Sequence, residues 1–266
     1  MNMYMKKMTF LIAAALAVLC ASCASESKKL IKKGLYNCSA RLEAVVKRME
    51  KKNYTNAVRI LDEIKYQCGG SEVMDTVYYY AANCHFAMKQ YEDARNEFDN
   101  LYREHPRSPF VEEAQYRIAH MRYLQSAKYY RDQTETKDAL RLLDDYLDIY
   151  PNGAYSDSAR VLFKASIEKL AEKEFRTAIF YRKQKEHEAA LIYYRSLLSE
   201  YPESKFAPES VVGMVEMLVS LGRVQEAREV IEELDSAAFE DALKIRIEAV
   251  KQQLPVSNNA DKKDNG

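Results

Sequence analysis

The sequence has little of what a turn-rich β protein needs. Its 266 residues include only 7 glycines and 6 prolines, and tryptophan is absent. No stretch alternates apolar and polar residues convincingly enough to indicate a strand. Because glycine and proline supply tight turns, their scarcity favours long helices with brief connections. We therefore predict an all-α fold.

The chain also lacks an excess of positive or negative charge, and it lacks any grouping of catalytic side chains. Its 40 Lys and Arg residues balance its 40 Asp and Glu residues, so the chain has no net positive charge that would favour binding of nucleic acid. The four histidines are scattered, and we find no metal-ligand spacing, phosphate-binding glycine loop or G-x-S-x-G motif. We predict a protein that is not an enzyme and that has no cofactor, no metal and no nucleic-acid partner.

The first 22 residues have the layout of an export signal. Lys6 and Lys7 form a basic start, and residues 9–19 are an apolar run without charge. That run is shorter than the roughly 20 residues that span a bilayer, but it suits the core of a signal peptide. We expect residues 1–22 to be a signal peptide that directs the chain into an oxidising compartment.

Cys23 follows small residues and resembles the acylated cysteine of a bacterial lipobox. Cys20 stands where that pattern prefers an aliphatic residue, so an ordinary cleaved signal peptide with incidental cysteines is the alternative. Two or three acyl chains would anchor a protein stably, whereas a single chain binds only marginally. We predict lipidation at Cys23, contact with the membrane through this lipid, and a linker over residues 23–35.

An alanine recurs early in the second helix of each of five predicted helical hairpins: Ala57, Ala94, Ala139, Ala190 and Ala227. Apolar side chains follow at the fourth and seventh positions and share a helix face with the alanine. Twelve residues after each of the middle three alanines stands a proline, which ends the helix: Pro106, Pro151 and Pro202. This is the tetratricopeptide layout, so we predict a solenoid of about five hairpins.

The predicted helix pairs are 36–52 with 55–67, 72–88 with 92–104, 109–131 with 136–149, 154–184 with 187–200, and 206–221 with 224–235. A further helix at about 238–253 would cap the last apolar face. The alanine intervals of 45 and 51 residues indicate longer first helices in the third and fourth units. We predict an N-terminal arm over 36–152, a C-terminal arm over 153–254 and a disordered tail over 255–266.

Cys38 and Cys68 each lie 15 residues from Asn53, which stands in the first predicted turn between helices. In an antiparallel hairpin they reach the same level, so a disulfide between them is plausible if the side chains face each other. We predict that Cys84 is a packed thiol.

Tyrosine is unusually frequent, with 20 residues, and several stand side by side, as in Tyr78-Tyr79-Tyr80, Tyr129-Tyr130 and Tyr193-Tyr194. Consecutive residues of a helix point about 100° apart, so a run of them cannot all be buried on one stripe. Most tyrosines are expected to pack between repeats. The others would line a surface suited to extended peptides or partner domains.

Several segments are more specific than a general repeat pattern: the stretch from Asp132 to Ala139 with Tyr150-Pro151, Lys169 to Phe175, Phe180 to Lys183, Ala189-Ala190 and Tyr201-Pro202. Together they resemble the BamD family of lipoproteins from the outer-membrane β-barrel assembly machinery. The resemblance covers roughly residues 40–235. It implies a scaffold anchored at the periplasmic face of the outer membrane.

The resemblance also implies the partners. They are the periplasmic domain of a BamA-type barrel insertase, bound by the C-terminal repeats, and unfolded outer-membrane proteins, received by the N-terminal repeats. Where the family often has an arginine for the insertase contact, this chain has Tyr193, with Arg195 two residues on. The candidate partner-binding residues are Tyr78, Tyr79, Tyr116, Tyr123, Asp132, Gln133, Tyr193 and Arg195. The alternative function is a repeat lipoprotein that tethers peptidoglycan-remodelling enzymes or a secretion apparatus.

Overall fold

The fold is seen in a computed structural model that describes residues 37–232 and 241–254. Within these residues the chain forms eleven α-helices and no strand, which confirms the predicted all-α class. The helices are α1 Cys38–Glu50, α2 Tyr54–Cys68, α3 Met74–Ala87, α4 Tyr91–Glu104, α5 Val111–Gln125, α6 Thr134–Ile149, α7 Ser156–Lys183, α8 His187–Glu200, α9 Ala207–Ser220, α10 Val224–Glu232 and α11 Asp241–Gln253. The predicted signal peptide 1–22, the lipidation site Cys23, the linker 23–35 and the tail 255–266 lie outside the described residues.

The helices pack as successive hairpins. Helix α1 pairs with α2, α3 with α4, α7 with α8 and α9 with α10, and neighbouring hairpins meet through α2 with α3 and α8 with α9. Helix α11 packs on α9, as predicted for a capping helix. The chain forms two compact units whose border lies within α5, between Ile118 and Ala119. The two arms expected over 36–152 and 153–254 are a different division of the chain and stay a prediction.

The repeated alanines form the centre of this packing. All five are fully buried: Ala57, Ala94, Ala139, Ala190 and Ala227. Four of the five side chains that stand four residues further on, Leu61, Phe98, Leu143 and Tyr194, are buried to 1% exposure or less, and the fifth, Ile231, is partly buried. A methyl side chain lets the second helix approach its neighbours closely, and the larger side chains then fill the space on either side. The prediction that these positions share one buried face is confirmed for the first four hairpins.

Four of the hairpins use the same turn between their helices. One residue of each turn has a positive φ: Lys52 at 55°, Lys89 at 61°, Lys185 at 64° and Gly222 at 73°. The next backbone N–H donates to a carbonyl five residues earlier, for example from Gln90 to His85 at 2.9 Å. This closes the end of the first helix in the manner of a Schellman motif.

The third hairpin departs from this pattern, and the helix predicted over 109–131 is wrong at its end. Helix α5 ends at Gln125, and residues 126–133 form an irregular loop. The buried side chain of Gln133 donates to the carbonyls of Lys128 at 2.8 Å and Arg131 at 3.1 Å. These bonds satisfy carbonyls that a helix would have paired, so the loop is stable without helical structure. Of the two long first helices predicted, only α7 is long, with 28 residues.

The aromatic residues that follow two of the connections pack back onto the preceding hairpin. Phe110 stacks on Tyr79 of α3, with ring centroids 4.2 Å apart and an interplanar angle of 11°. Phe206 stacks on Phe175 of α7 at 5.1 Å and 26°. These stacked rings join successive hairpins within each unit.

A disulfide joins Cys38 and Cys68, whose Cα atoms lie 6.4 Å apart, so the two side chains face each other as the predicted pairing requires. Cys84 is a buried free thiol on α3, also as predicted. Burial raises the pKa of the Cys84 thiol to about 11, which keeps it protonated at neutral pH.

Candidate functional site

The irregular loop and the long helix meet at one place in the second unit. Loop 126–133 and the C-terminal half of α7 enclose an open groove of about 340 Å³, here called the α7 groove. The loop contributes Tyr129 and Tyr130, and α7 contributes Lys173, Arg176, Thr177, Phe180 and Tyr181. Insertions into a repeat array map to loops on one face, which is often the binding face.

The α7 side of the groove follows from helical spacing. Lys173, Arg176 and Phe180 are separated by three and four residues, so they share one face of the helix. The Phe180 side chain is 57% exposed. Tyr181 stacks almost parallel on Tyr193 of α8, with centroids 5.4 Å apart and an angle of 9°. Burial, and secondarily Tyr181, raise the pKa of Tyr193, so its hydroxyl stays neutral at physiological pH.

The loop side is held in place by buried polar contacts. Lys169 of α7 donates from Nζ to Ser126 Oγ at 2.5 Å and lies over the ring of Tyr123 at 4.8 Å. Burial lowers the pKa of this lysine. Together with the Gln133 bonds, these contacts fix the loop against α7. Tyr130, which is 64% exposed and packs edge-on against Tyr129, is therefore presented by an ordered platform.

The groove combines open aromatic faces with charged side chains of both signs. Arg176 forms a long bond of 3.4 Å to Glu172, and both side chains are partly exposed. Asp132 accepts hydrogen bonds from Thr134, which lower the pKa of its carboxyl group. Lys173 forms no ion pair among the described residues, but its charge also lowers the pKa of the Asp132 carboxyl group. Such a surface can bind apolar or aromatic side chains together with charged groups.

Three of the predicted partner-binding tyrosines lie in the first unit, where they are engaged in packing. Tyr78 donates to Glu104 at 2.8 Å, and burial and this carboxylate raise its pKa to about 12. Tyr79 donates to Glu113 at 2.8 Å and is stacked by Phe110. Tyr116 is 9% exposed. Each has a structural role here, and a role in binding a partner stays a prediction.

The structure brings most of the other predicted residues to the α7 groove. Tyr123, Asp132 and Gln133 support its loop, and Tyr193 supports Tyr181 on its wall. The fifth, Arg195, is instead bonded to Glu226 of α10 at 2.7 Å. The eight candidates therefore do not form one site.

The prediction missed Lys173, Arg176 and Phe180 as lining residues. Their spacing within the predicted helix 154–184 could have placed them on one face. Whether that face lines a groove depends on loop 126–133, most of which was predicted to belong to the helix over 109–131.

Residues 37–232 and 241–254 contain no group of three or more His, Cys, Asp or Glu side chains that could hold a metal ion. No helix among them is both long and apolar enough to cross a membrane.

Comparison with known proteins identifies the family. Residues 37–234 match the family YfiO, described as an outer membrane lipoprotein. A similar protein from Caulobacter vibrioides, called outer membrane protein assembly factor BamD, is 26% identical over 181 residues, which is 68% of this chain and 59% of that relative. The protein of the same name from Rickettsia prowazekii is 26% identical over 187 residues, with 68% of this chain and 72% of the relative covered. The match thus spans less than two thirds of the Caulobacter protein.

Solved structures show weaker likeness. The TPR domain of P58(IPK) is 14% identical with a TM-score of 0.43, and the match covers 87% of this chain and 68% of the P58(IPK) chain. MamA 41-end from Desulfovibrio magneticus RS-1 is 15% identical with a TM-score of 0.39, and the match covers 74% of this chain and 92% of the MamA chain. The helical hairpins of the structure itself show the tetratricopeptide-like fold. The family match covers most of the chain, and it agrees with the resemblance seen in the sequence: the chain belongs to the YfiO family of outer membrane lipoproteins.

Proposed function

We propose that the chain is a non-enzymatic scaffold of the outer-membrane β-barrel assembly machinery. The observation that carries this proposal is the family match over residues 37–234, with relatives named as outer membrane protein assembly factors. A scaffold needs ordered surfaces that leave side chains open to a partner. The α7 groove supplies one, because its loop is fixed by Gln133 and Lys169 while Tyr130 and Phe180 stay exposed.

The proposed partners are the periplasmic domain of a BamA-type barrel insertase and unfolded outer-membrane proteins. Lipidation at Cys23 would hold the chain on the periplasmic face of the outer membrane and so keep it close to both. Exposed aromatic residues and arginine are enriched in protein interfaces, which supports binding rather than catalysis as the role of these side chains.

Affinity capture tests the proposal. Full-length tagged chain is purified from envelopes solubilised in mild detergent, and the insertase is expected to co-purify. Depletion of the chain should lower the amount of all outer-membrane barrels together. The matched control is a Cys23→Ala variant, which is expected to lose its membrane association. Co-purification of peptidoglycan-remodelling enzymes or secretion components without the insertase would reject the proposal in favour of the alternative function.

A further inference from the structure

We propose that helix α11 occupies, within the chain, a docking site on α9 for an amphipathic helix of a partner protein. The partner helix carries an arginine and, on the same face, aliphatic residues one, four and eight positions later, and it replaces α11 on α9. This inference rests on the proposed function only in its need for a protein partner. It concerns a surface other than the α7 groove, and it names the chemistry that this surface selects.

Helix α11 shows what the site accepts, because it turns one amphipathic face towards α9. Arg246, Ile247, Val250 and Leu254 share that face by helical spacing. Ile247 and Val250 are 4% and 6% exposed, Val250 belongs to the core of the second unit, and Leu254 packs against that core. The other side of the helix faces water, with Ile245 70% exposed.

The surface beneath α11 selects a cation. It is here called the α9 face and consists of Glu209, Val212 and Glu216, which are three and four residues apart. Arg246 donates to Glu216 at 2.8 and 3.0 Å and to Glu209 at 3.4 Å. Arg182 of α7 pairs with the second oxygen of Glu216 at 3.2 Å. When α11 leaves, the two carboxylates outnumber Arg182, so an arginine is favoured there and a glutamate is disfavoured.

Helix α11 is held by few contacts. Ile247 and Val250 are its buried side chains among those that the structure describes, whereas α7 and α9 bury seven residues each. The ion pair of Arg246 with Glu216 is partly exposed, and such pairs contribute little. A segment with few buried contacts can open locally while the rest of the unit stays folded.

Helix α9 does not depend on α11 for its position. It packs on α8 and α10 as well as on α11. Its backbone lies so close to Tyr194 of α8 that a Cβ atom at Gly213 would come within 2.8 Å of the ring and its hydroxyl. Val215 and Leu218 are buried in the same core as Tyr194. Opening of α11 therefore uncovers a formed surface, which a partner helix does not have to order.

Binding of a designed helix to the full-length chain in detergent micelles tests the inference. The probe is a fluorescein-labelled, acetylated peptide as long as residues 241–254. It keeps the side chains of Arg246, Ile247, Val250 and Leu254 at their positions and is otherwise built from alanine, glutamate, lysine and glutamine. The comparison peptide has glutamate in place of the arginine. In fluorescence anisotropy, we expect the arginine peptide to bind at least about tenfold more tightly.

Hydrogen exchange with mass spectrometry then shows whether the peptide replaces α11. With the arginine peptide at saturation, amides of α11 in the parent chain should exchange at least about tenfold faster than without it, because the displaced helix loses its protection. Amides of α9 should become no less protected, since the peptide covers the same face.

Variants separate displacement from binding elsewhere. Val250→Asp should release α11 and tighten binding of the arginine peptide at least about tenfold, because α11 no longer covers the site for most of the time. Ile245→Asp is the matched control on the exposed side of the same helix and should leave the affinity unchanged. Glu216→Gln, added to Val250→Asp, should weaken binding at least about threefold. Circular dichroism of these variants checks that the helices stay folded.

Three results would overturn the inference. They are equal binding of the two peptides, peptide binding to the parent chain with unchanged exchange of α11, and equal affinity of the Val250→Asp and Ile245→Asp chains. If Val250→Asp unfolds the second unit, exchange of α11 in the parent chain decides the question alone. If the insertase co-purifies but the peptide does not displace α11, only this inference fails. If the peptide displaces α11 but the insertase does not co-purify, only the proposed function fails.

Discussion

Replacing Cys38 and Cys68 by serine would release α1 from α2. Helix α1 has little else to hold it, because Val45 is its one buried side chain. Leu42 and Met49 pack only partly against the first-unit core. The ion pair of Arg41 with Glu63 is partly exposed, and exposed pairs contribute about 0–1 kcal/mol.

The size of the effect follows from the loop that the disulfide closes. The two cysteines are 30 residues apart, and the chain-entropy relation gives about 4 kcal/mol for a loop of that length. Full burial of a Val side chain contributes about 1.5–3 kcal/mol. The disulfide is therefore the largest single contribution to the docking of α1, and its loss should allow α1 to open while α3 and α4 stay folded.

Hydrogen exchange with mass spectrometry measures this opening. In the double variant Cys38→Ser/Cys68→Ser, amides of α1 should exchange up to roughly a thousandfold faster than in the parent chain, since each 1.4 kcal/mol is tenfold. Reductant should have the same effect on the parent. Ser39→Ala on the same helix is the control and should leave exchange unchanged. Unchanged protection of α1 in the double variant would show that packing, not the disulfide, holds the helix.

Four further predictions concern stability, each measured by urea denaturation. Gln133→Ala should lower the free energy of unfolding by about 1–3 kcal/mol, because loop carbonyls lose their buried donor. Lys89→Gly should raise it by about 1 kcal/mol, since a side chain at positive φ is strained. Ala139→Leu should lower it by about 1–3 kcal/mol, because the position is fully buried and would be overpacked. Stability should decline as pH rises from about 9 to about 11, because the Cys84 thiol loses its proton earlier in the unfolded chain than in the folded one, and Cys84→Ala should reduce this decline.

Each of these has a contrary outcome. A neutral Gln133→Ala would mean that water replaces its bonds, and a destabilising Lys89→Gly would mean that the turn gains nothing from releasing the strain. A tolerated Ala139→Leu would contradict close helix packing at that position. An alkaline decline that is identical in Cys84→Ala would exclude the thiol as its cause.

The hairpins could be predicted from the sequence because their signals are local and repeated. An alanine with apolar residues four and seven positions later, followed by a helix-ending proline, fixes both the helix and its buried face. Apart from the end of α5 and the two helix ends that border residues 233–240, the predicted helix bounds agree with the observed ones within two residues. The pairing of Cys38 with Cys68 followed from the same hairpin geometry.

Loop 126–133 could not be predicted, because its stability depends on the side chain of its last residue. The Gln133 side chain donates hydrogen bonds to the carbonyls of Lys128 and Arg131, and the composition of the segment does not predict those bonds. The α7 groove exists only because this loop replaces helix, so the groove was missed too. Tyr78 and Tyr79 show what residue type alone leaves open: the structure shows them hydrogen-bonded to Glu104 and Glu113, and their role in binding a partner stays a prediction.

The central claim is that the chain holds another protein against the α7 groove, and photo-crosslinking in cells tests it most directly. A photoreactive amino acid is placed at Phe180 in the groove and, as a control, at Val161, which is 68% exposed on the same helix. We predict a crosslinked protein product at position 180 that is lost when Lys173→Glu is added, and no comparable product at position 161. Equal crosslinking at both positions, or none at position 180, would contradict the account.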